Sequence, residues 1–148
     1  MDTVYFQPHC QLASVYYLFA SFMLLSIFAF KKTIMNILVK QFNEYRQRMN
    51  EKILAADNTV IKRLYNLDTN TYMEGALSVK TKEMMGLVAS LVLRCDDCVK
   101  YHLGKCKEVG LKTDEVNEAM GIATLIGGTI VIPHLRRGFE YWEELENV

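Results

Sequence analysis

The 148-residue sequence lacks a net charge, because its 17 basic residues are matched by 17 acidic ones. A nucleic-acid-binding surface or a strong attraction for anionic substrates is therefore not indicated. The sequence also lacks a glycine-rich phosphate loop, an internal repeat and an alternating strand pattern of useful length. One domain is the simplest organisation for a chain of this length.

Sulfur and imidazole are scarce, with four cysteines and three histidines. Cys10 lies far from the other three cysteines, so the set does not resemble the disulfide framework of a small secreted protein. A Cys-x-x-Cys pair in a reducing compartment is instead typical of catalytic, redox or metal-binding proteins. The functional hypothesis therefore depends on where these few residues lie.

The N-terminal part differs from the rest, because Gln11 to Phe30 carry no charge and Lys31 and Lys32 follow at once. A run of about 20 apolar residues is long enough to cross a bilayer as a helix, and the lysines would place the following domain in the cytoplasm. Alternatively, residues 1–34 come from a start codon assigned too far upstream, because Met35 begins an ordinary amphipathic segment. A buried core helix and a cleaved signal peptide are less favoured. In both leading cases residues 35–148 form a cytoplasmic helical domain.

From Met35 onward the apolar residues recur at steps of three and four, which predicts an all-α fold. A first apolar stripe runs from Ile37 to Met49, and a second helical piece is predicted from Ile53 to Leu67. Turn-forming residues predict a break at Asn66 to Thr71. Ser78 is a predicted N-cap for the helix that follows.

Two further helices are predicted towards the C-terminus. One begins at Cys95 or Asp96 and ends near Gly110. The other is long and largely apolar and covers Glu115 to Ile132. Pro133 is expected to kink or end it, because proline removes a backbone donor and collides with the preceding turn.

The short stretch from Leu93 to Cys106 holds three of the four cysteines and one of the histidines. On an α-helix, Cys95, Cys98, His102 and Cys106 fall within a stripe of about 80° and span about 16 Å. One zinc ion could not reach all four, because its bonds are about 2.0–2.3 Å long. A metal held by the first three and an outside ligand stays an alternative, although the sequence has no second Cys-x-x-Cys to complete such a site.

Redox chemistry fits the spacing better than metal binding. Cysteines at positions i and i+3 near a helix start can form a disulfide, and the helix dipole stabilises a thiolate there. His102 lies one turn beyond Cys98, where it can take up or return a proton. Asp96 and Asp97 oppose a neighbouring thiolate, so we expect a modestly activated thiol that needs a base.

Glu83 is the candidate for a second proton-carrying group. It is the only charged residue between Lys82 and Arg94, in a run that otherwise has the pattern of a buried helix. A carboxylate in such surroundings can hold or transfer a proton near neutral pH. If the two helices pair in an antiparallel manner, Glu83 is expected to meet His102, which gives a relay Glu83–His102–Cys98.

The pattern Glu-x11-Cys-x2-Cys-x3-His, filled by Glu83, Cys95, Cys98 and His102, resembles the AhpD-like branch of the carboxymuconolactone decarboxylase family. The likeness covers roughly Asp57 to Tyr141. It implies an all-α subunit that forms a homo-oligomer, often a trimer or a hexamer, and that needs no metal or other cofactor. It also implies a thiol-dependent peroxidase.

The resemblance assigns each site residue a role. Cys98 would attack the hydroperoxide, Cys95 would resolve the sulfenic acid as a disulfide, and Glu83 and His102 would carry the proton. A dithiol reductant, such as a lipoyl-bearing or thioredoxin-like protein, would restore the pair. The family often has a histidine just before the second cysteine, and this sequence has Asp97 there, which puts peroxidase efficiency in question.

Two other functions stay open at this point. The chain could be a non-enzymatic helical oligomer whose cysteine pair binds a metal or senses oxidation, or a lactone decarboxylase of the same family. Decarboxylases of the family use no cysteine pair, which argues against the second alternative. Among the other candidates, Cys106 is expected to be a buried small side chain, His134 a helix-end or interface residue, and Tyr101 a core or interface residue.

Overall fold

The structure is a computed structural model that describes residues 21–23 and 37–147. In that part of the chain every regular element is helical, which confirms the predicted all-α class. By contacts the chain divides into units of residues 1–35 and 36–148, and the second is described below. Its elements are α1 (Ile37–Ala55), α2 (Thr59–Thr71), α3 (Val79–Val92), α4 (Asp96–Glu108), α5 (Thr113–Gly127), a 3-10 turn (Thr129–Val131) and α6 (Ile132–Glu146).

The prediction for the apolar N-terminal segment, residues 11–30, lies outside the described residues except for Ser21 to Met23, which are helical. Within the described ranges no helix combines the length and the apolar character that a membrane span requires.

Helix α3 lies at the centre of the unit and packs against α4 and α5, while α4 also packs against α6. Their facing sides bury the largest side chains of the core, and each such side chain contributes about 1.5–3 kcal/mol when fully removed from water. Helices α1 and α2 bury no residue completely. The core is made by Leu87, Leu91, Val99, Leu103, Met120, Val131, Tyr141 and Trp142.

The predicted break at Asn66 to Thr71 is wrong, because α2 continues to Thr71. Its last turns are supported by side chains that bond one turn back, as Thr69 Oγ1 donates to the Tyr65 carbonyl (3.0 Å). Lys82 Nζ then donates to the carbonyls of Thr71 (2.8 Å) and Met73 (2.7 Å). A cation from α3 thus binds the C-terminal end of α2, where carbonyls lack partners.

The actual break between the first two helices lies at Ala56 to Asn58, and Ile53 belongs to α1 instead of the second helix. Asp57 adopts a positive φ of 54°, a conformation that short polar residues tolerate better than most. Asn58 caps α2, because its Oδ1 accepts from the N–H groups of Val60 and Ile61. Ser78 caps α3 in the predicted manner, through Thr81 N–H (3.2 Å).

The predicted C-terminal end of the long helix, Ile132, is also wrong. Helix α5 ends at Gly127, because Gly128 has a φ of 72° that favours glycine. Pro133 does not terminate a helix but lies in the first turn of α6. Proline fits there, since the first N–H groups of a helix have no partner within it.

Helix α1 is attached to the core through a buried carboxylate at the end of the chain. Glu144 Oε2 on α6 accepts from the N–H groups of Leu38 (3.0 Å) and Val39 (3.2 Å). These N–H groups lie in the first turn of α1 and have no partner within the helix. The carboxylate therefore accepts their hydrogen bonds, and its negative charge interacts favourably with the positive end of the helix dipole. The Phe42 ring packs edge-on against Tyr141. This attachment makes α1 a wall of the site described next.

Candidate functional site

The Cys-x-x-Cys pair lies at the tight connection between α3 and α4. Cys95 is the N-cap residue of α4, and its Sγ lies 3.4 Å from the N–H of Cys98. The two cysteines form a disulfide, with their Cα atoms 5.2 Å apart. Arg94 turns the chain with a φ of 60°, and Cys95 N–H donates to the Ser90 carbonyl. Cys98 is exposed and Cys95 is half-buried, so a reagent reaches Cys98 more readily.

Glu83 on α3 and His102 on α4 are in direct contact. Glu83 Oε2 lies 2.8 Å from His102 Nδ1, and the two residues are 3% and 8% exposed. The expected contact between them is therefore present. When Glu83 is a carboxylate it only accepts, so the contact assigns the ring proton to Nδ1 and leaves Nε2 as the atom that can exchange a proton.

Two aromatic rings contact the imidazole. The ring centres of Tyr72 and Tyr101 lie 5.3 Å and 5.1 Å from that of His102. Burial, and next the nearby carboxylate of Glu83, raises the pKa of both tyrosines. Both phenols thus stay neutral at physiological pH and add no charge beside the imidazole. The sequence predicts Tyr101 as a core or interface residue and gives no signal for Tyr72.

A cavity of about 430 Å³ opens above Cys98 and His102. Helix α1 supplies most of its wall, largely with apolar side chains, and Arg46 stacks over the Tyr101 ring at 4.2 Å. Two carboxylates, Asp68 and Asp97, also line it. Nothing in the sequence indicated that α1 covers the cysteine helix, because the two segments are some fifty residues apart. The apolar wall consists of Phe42, Tyr45, Met49 and Ile53.

Gly86 allows the imidazole to approach α3 closely. A Cβ atom at this position would lie 2.5 Å from His102 Cε1 and 2.7 Å from the Tyr72 hydroxyl. We expect Gly86→Ala to destabilise the protein by about 1–3 kcal/mol through overpacking and to displace His102. Gly104→Ala on α4 is the matched control, since an added Cβ meets nothing within 4 Å there. Removing that glycine should stabilise the helix by about 0.5–1 kcal/mol.

Thermal unfolding of the two variants measures the difference. A Gly86→Ala protein as stable as wild type, with unchanged NMR shifts of the His102 ring, would contradict the close approach.

Cys106 lies on the same helix but takes no part in the site. It is a free, fully buried cysteine, and burial raises the pKa of its thiol to about 12. The expectation of a buried small side chain is confirmed. Among the described residues, no three His, Cys, Asp or Glu side chains are arranged to hold a metal ion.

His134 contacts the cysteine turn from α6, which sequence analysis did not foresee. Its Nδ1 lies 2.7 Å from Asp96 Oδ1, and Arg137 Nε lies 2.9 Å from Asp96 Oδ2. The three side chains form a cluster beside Cys95, on the side of α4 that faces α6. The only signal in the sequence was the one-turn spacing of His134 and Arg137.

The sequence profile of the carboxymuconolactone decarboxylase family matches residues 59–141. The chain belongs to the carboxymuconolactone decarboxylase family. This match spans α2 to α6, and it includes the disulfide, Glu83 and His102. No curated protein sequence matches the chain significantly.

Solved structures of the carboxymuconolactone decarboxylase family are similar to this chain. One crystal structure from Thermotoga maritima is 53% identical, covers 72% of this chain and 94% of its own, and has a TM-score of 0.71. A second, of the same protein, is 52% identical with a TM-score of 0.69 and covers 72% and 90%. A role in the antioxidative response has been suggested for that protein. A family protein from Legionella pneumophila shares the fold, with a TM-score of 0.55. It is 22% identical, and the match covers 78% of this chain and 96% of its own.

Proposed function

We propose that the protein is an AhpD-like thiol peroxidase that reduces organic hydroperoxides with the Cys95–Cys98 pair. The observation that carries this proposal is the buried hydrogen bond between Glu83 and His102, whose imidazole lines the same cavity as the exposed, disulfide-forming Cys98. A nucleophile, a base one turn away and a third group that orients the base form the arrangement that nucleophilic catalysis requires. The antioxidative role suggested for the Thermotoga maritima relative is consistent with it.

The proposed cycle begins with the reduced pair. The Cys98 thiolate attacks one oxygen of the hydroperoxide, the O–O bond breaks, and the alkoxide takes a proton from the His102–Glu83 pair and leaves as an alcohol. Cys98 is then a sulfenic acid. The Cys95 thiol attacks its sulfur, the hydroxyl group leaves as water, and the disulfide forms. A dithiol donor supplies two electrons and two protons and becomes a disulfide itself.

The apolar lining of the cavity favours binding of an organic hydroperoxide over hydrogen peroxide. Its apolar wall on α1 offers burial to an alkyl or aryl group, and each buried CH₂ contributes about 0.8 kcal/mol. The volume of about 430 Å³ lies within the range of small-molecule sites. Regeneration needs a reducing compartment, which supports the cytoplasm as the location and a lipoyl-bearing or thioredoxin-like protein as the reductant.

The direct test supplies the full-length reduced protein with cumene hydroperoxide and a dithiol, dihydrolipoamide, and follows peroxide loss. We expect many turnovers per protein and a higher kcat/KM for cumene hydroperoxide than for hydrogen peroxide. Stoichiometric oxidation without turnover would instead support a redox sensor. An inert cysteine pair would support a structural or metal-binding module.

We also propose that the subunit forms a homo-oligomer, a trimer or a hexamer, through one exposed apolar face of α3 and α5. Large apolar side chains are exposed there, and exposed apolar patches commonly mark protein–protein interaction sites. The face consists of Met85 on α3, Leu93 at its C-cap, Ile122, Leu125 and Ile126 on α5, and Ile130 in the 3-10 turn that follows.

Leu125→Glu tests this surface, because Leu125 is 86% exposed and its replacement costs the subunit little packing. We expect light scattering to show smaller particles than wild type. Val60→Glu, on the exposed apolar side of α2 and 74% exposed, is the matched control and should keep the wild-type size. A reversed result would assign the interface to α2.

A further inference from the structure

The two acidic residues between the cysteines have different surroundings. The Asp97 side chain is 71% exposed, with Lys100 Nζ at 3.6 Å as its partner. The Asp96 side chain is 34% exposed and lies against α6. Both carboxylates are close to the thiols in sequence and would oppose a thiolate if their charges were not compensated. The structure therefore compensates the two charges in different ways.

Both oxygens of Asp96 are paired with α6. Oδ1 lies 2.7 Å from His134 Nδ1, and Oδ2 lies 2.9 Å from Arg137 Nε. His134 and Arg137 are one helical turn apart, so one face of α6 presents both. The same His134 Nδ1 atom lies 3.0 Å from Arg137 Nη2. Arginine only donates and a carboxylate only accepts, so Nδ1 hydrogen-bonds one of the two partners at a time, and it bonds Asp96 when it carries the proton. Burial alone would raise the pKa of Asp96, but the hydrogen bonds from Arg137 and His134 hold it below its usual range.

We propose that Arg137, assisted by His134, neutralises the Asp96 carboxylate so that Cys98 can ionise when the disulfide is reduced. Arg137 is thus a positioning residue that acts on the thiol through Asp96. This inference rests on the proposed function for its biological meaning, but it concerns the acidity of a thiol and not peroxide turnover. Partly exposed ion pairs contribute little to folding stability, so the charge effect is the more informative one to measure.

The other charged groups near Cys98 are the same in all the variants below. Asp97 and His102 lie on α4, Arg46 approaches from α1 and Asp68 from α2, and all line the same cavity. Lys100 is paired with Asp97, and Glu83 with His102. A change at α6 therefore isolates the contribution of the Asp96 cluster.

The test uses the reduced full-length protein and measures the rate of Cys98 alkylation by iodoacetamide against pH, resolved by peptide mass so that Cys10 does not interfere. In Arg137→Gln the Asp96 carboxylate loses its arginine partner, and we expect the apparent pKa of Cys98 to rise by about 0.5 to 1, with about threefold or more slower alkylation at pH 7. In Asp96→Asn the unpaired Arg137 cation should lower the apparent pKa of Cys98. The double variant should return close to wild type.

Two controls separate charge from structure. Arg136→Gln removes the same charge from the neighbouring, exposed position of α6 and should leave the pH profile of Cys98 alkylation unchanged. Arg137→Lys keeps the positive charge and should give a profile close to wild type. If Arg137→Gln and Asp96→Asn shift the Cys98 profile in the same direction, the cluster acts only by holding the turn and the proposal is overturned. Equal shifts in Arg137→Gln and Arg136→Gln would overturn it too. Both results can be obtained whether or not the protein consumes peroxide.

Discussion

Replacing Cys98 with serine should reduce peroxide turnover at least about a thousandfold, to the uncatalysed rate, because the nucleophile itself is lost. A serine hydroxyl in the same place is a much weaker nucleophile than a thiolate, and it cannot form the disulfide. The measurement is the consumption of cumene hydroperoxide by the reduced protein with dihydrolipoamide, at equal protein concentration.

Cys95→Ser should behave differently. Cys98 is then still oxidised once, but its sulfenic acid has no resolving thiol and accumulates, so one equivalent of peroxide is consumed quickly and turnover then slows. Peptide mass after trapping with a sulfenic-acid reagent would locate the product on Cys98. Cys106→Ala, which removes a fully buried thiol of the same helix, is the control and should keep turnover per folded protein.

The assignment of the two cysteines follows from their exposure. Cys98 is exposed at the cavity, whereas Cys95 is half-buried and caps α4. A trapped sulfenic acid on Cys95 in Cys98→Ser, with turnover retained, would reverse the roles. Turnover that survives the loss of both thiols would remove the peroxidase proposal and favour the thiol-independent chemistry of the family.

The cysteine helix was accessible to sequence analysis because all its information is local. Spacing alone predicts Cys98, His102 and Cys106 on one side of a helix, whereas Cys95, predicted on the same side, caps that helix instead. The antiparallel pairing of α3 and α4 then required only one short turn, which is why the contact of Glu83 with His102 could be expected.

The features that sequence analysis missed depend on partners far away in the chain. Helix α2 continues through a run of turn-forming residues because Lys82, eleven residues after Thr71, binds its last carbonyls. Glu144 caps α1 across more than a hundred residues, so the cavity wall could not be foreseen. Arg137 and His134 reach Asp96 in the same way. Gly128 ends α5 through its positive φ, and Pro133 instead lies in the first turn of α6.

Glu83→Gln should lower kcat/KM for cumene hydroperoxide by about 10²- to 10⁴-fold, the usual contribution of a positioned proton-transfer group. Glutamine has nearly the shape of glutamate, and its amide oxygen can still accept from His102 Nδ1. The ring therefore keeps its place, but the negative charge that stabilises the protonated imidazole is lost. The exposed Glu118→Gln on α5 is the matched control and should leave kcat/KM unchanged.

The proposed relay predicts a specific result for the variant that carries both Glu83→Gln and His102→Gln. If Glu83 acts through His102, Glu83→Gln in a His102→Gln background should cost almost nothing further, because the group on which it acts is already gone. Two independent contributions would instead multiply. Thermal unfolding of all four proteins is needed beside the kinetics, since the pair is buried and its loss also destabilises the fold. Multiplying losses, or wild-type kcat/KM in Glu83→Gln, would show that the 2.8 Å contact is structural and that His102 receives its proton elsewhere.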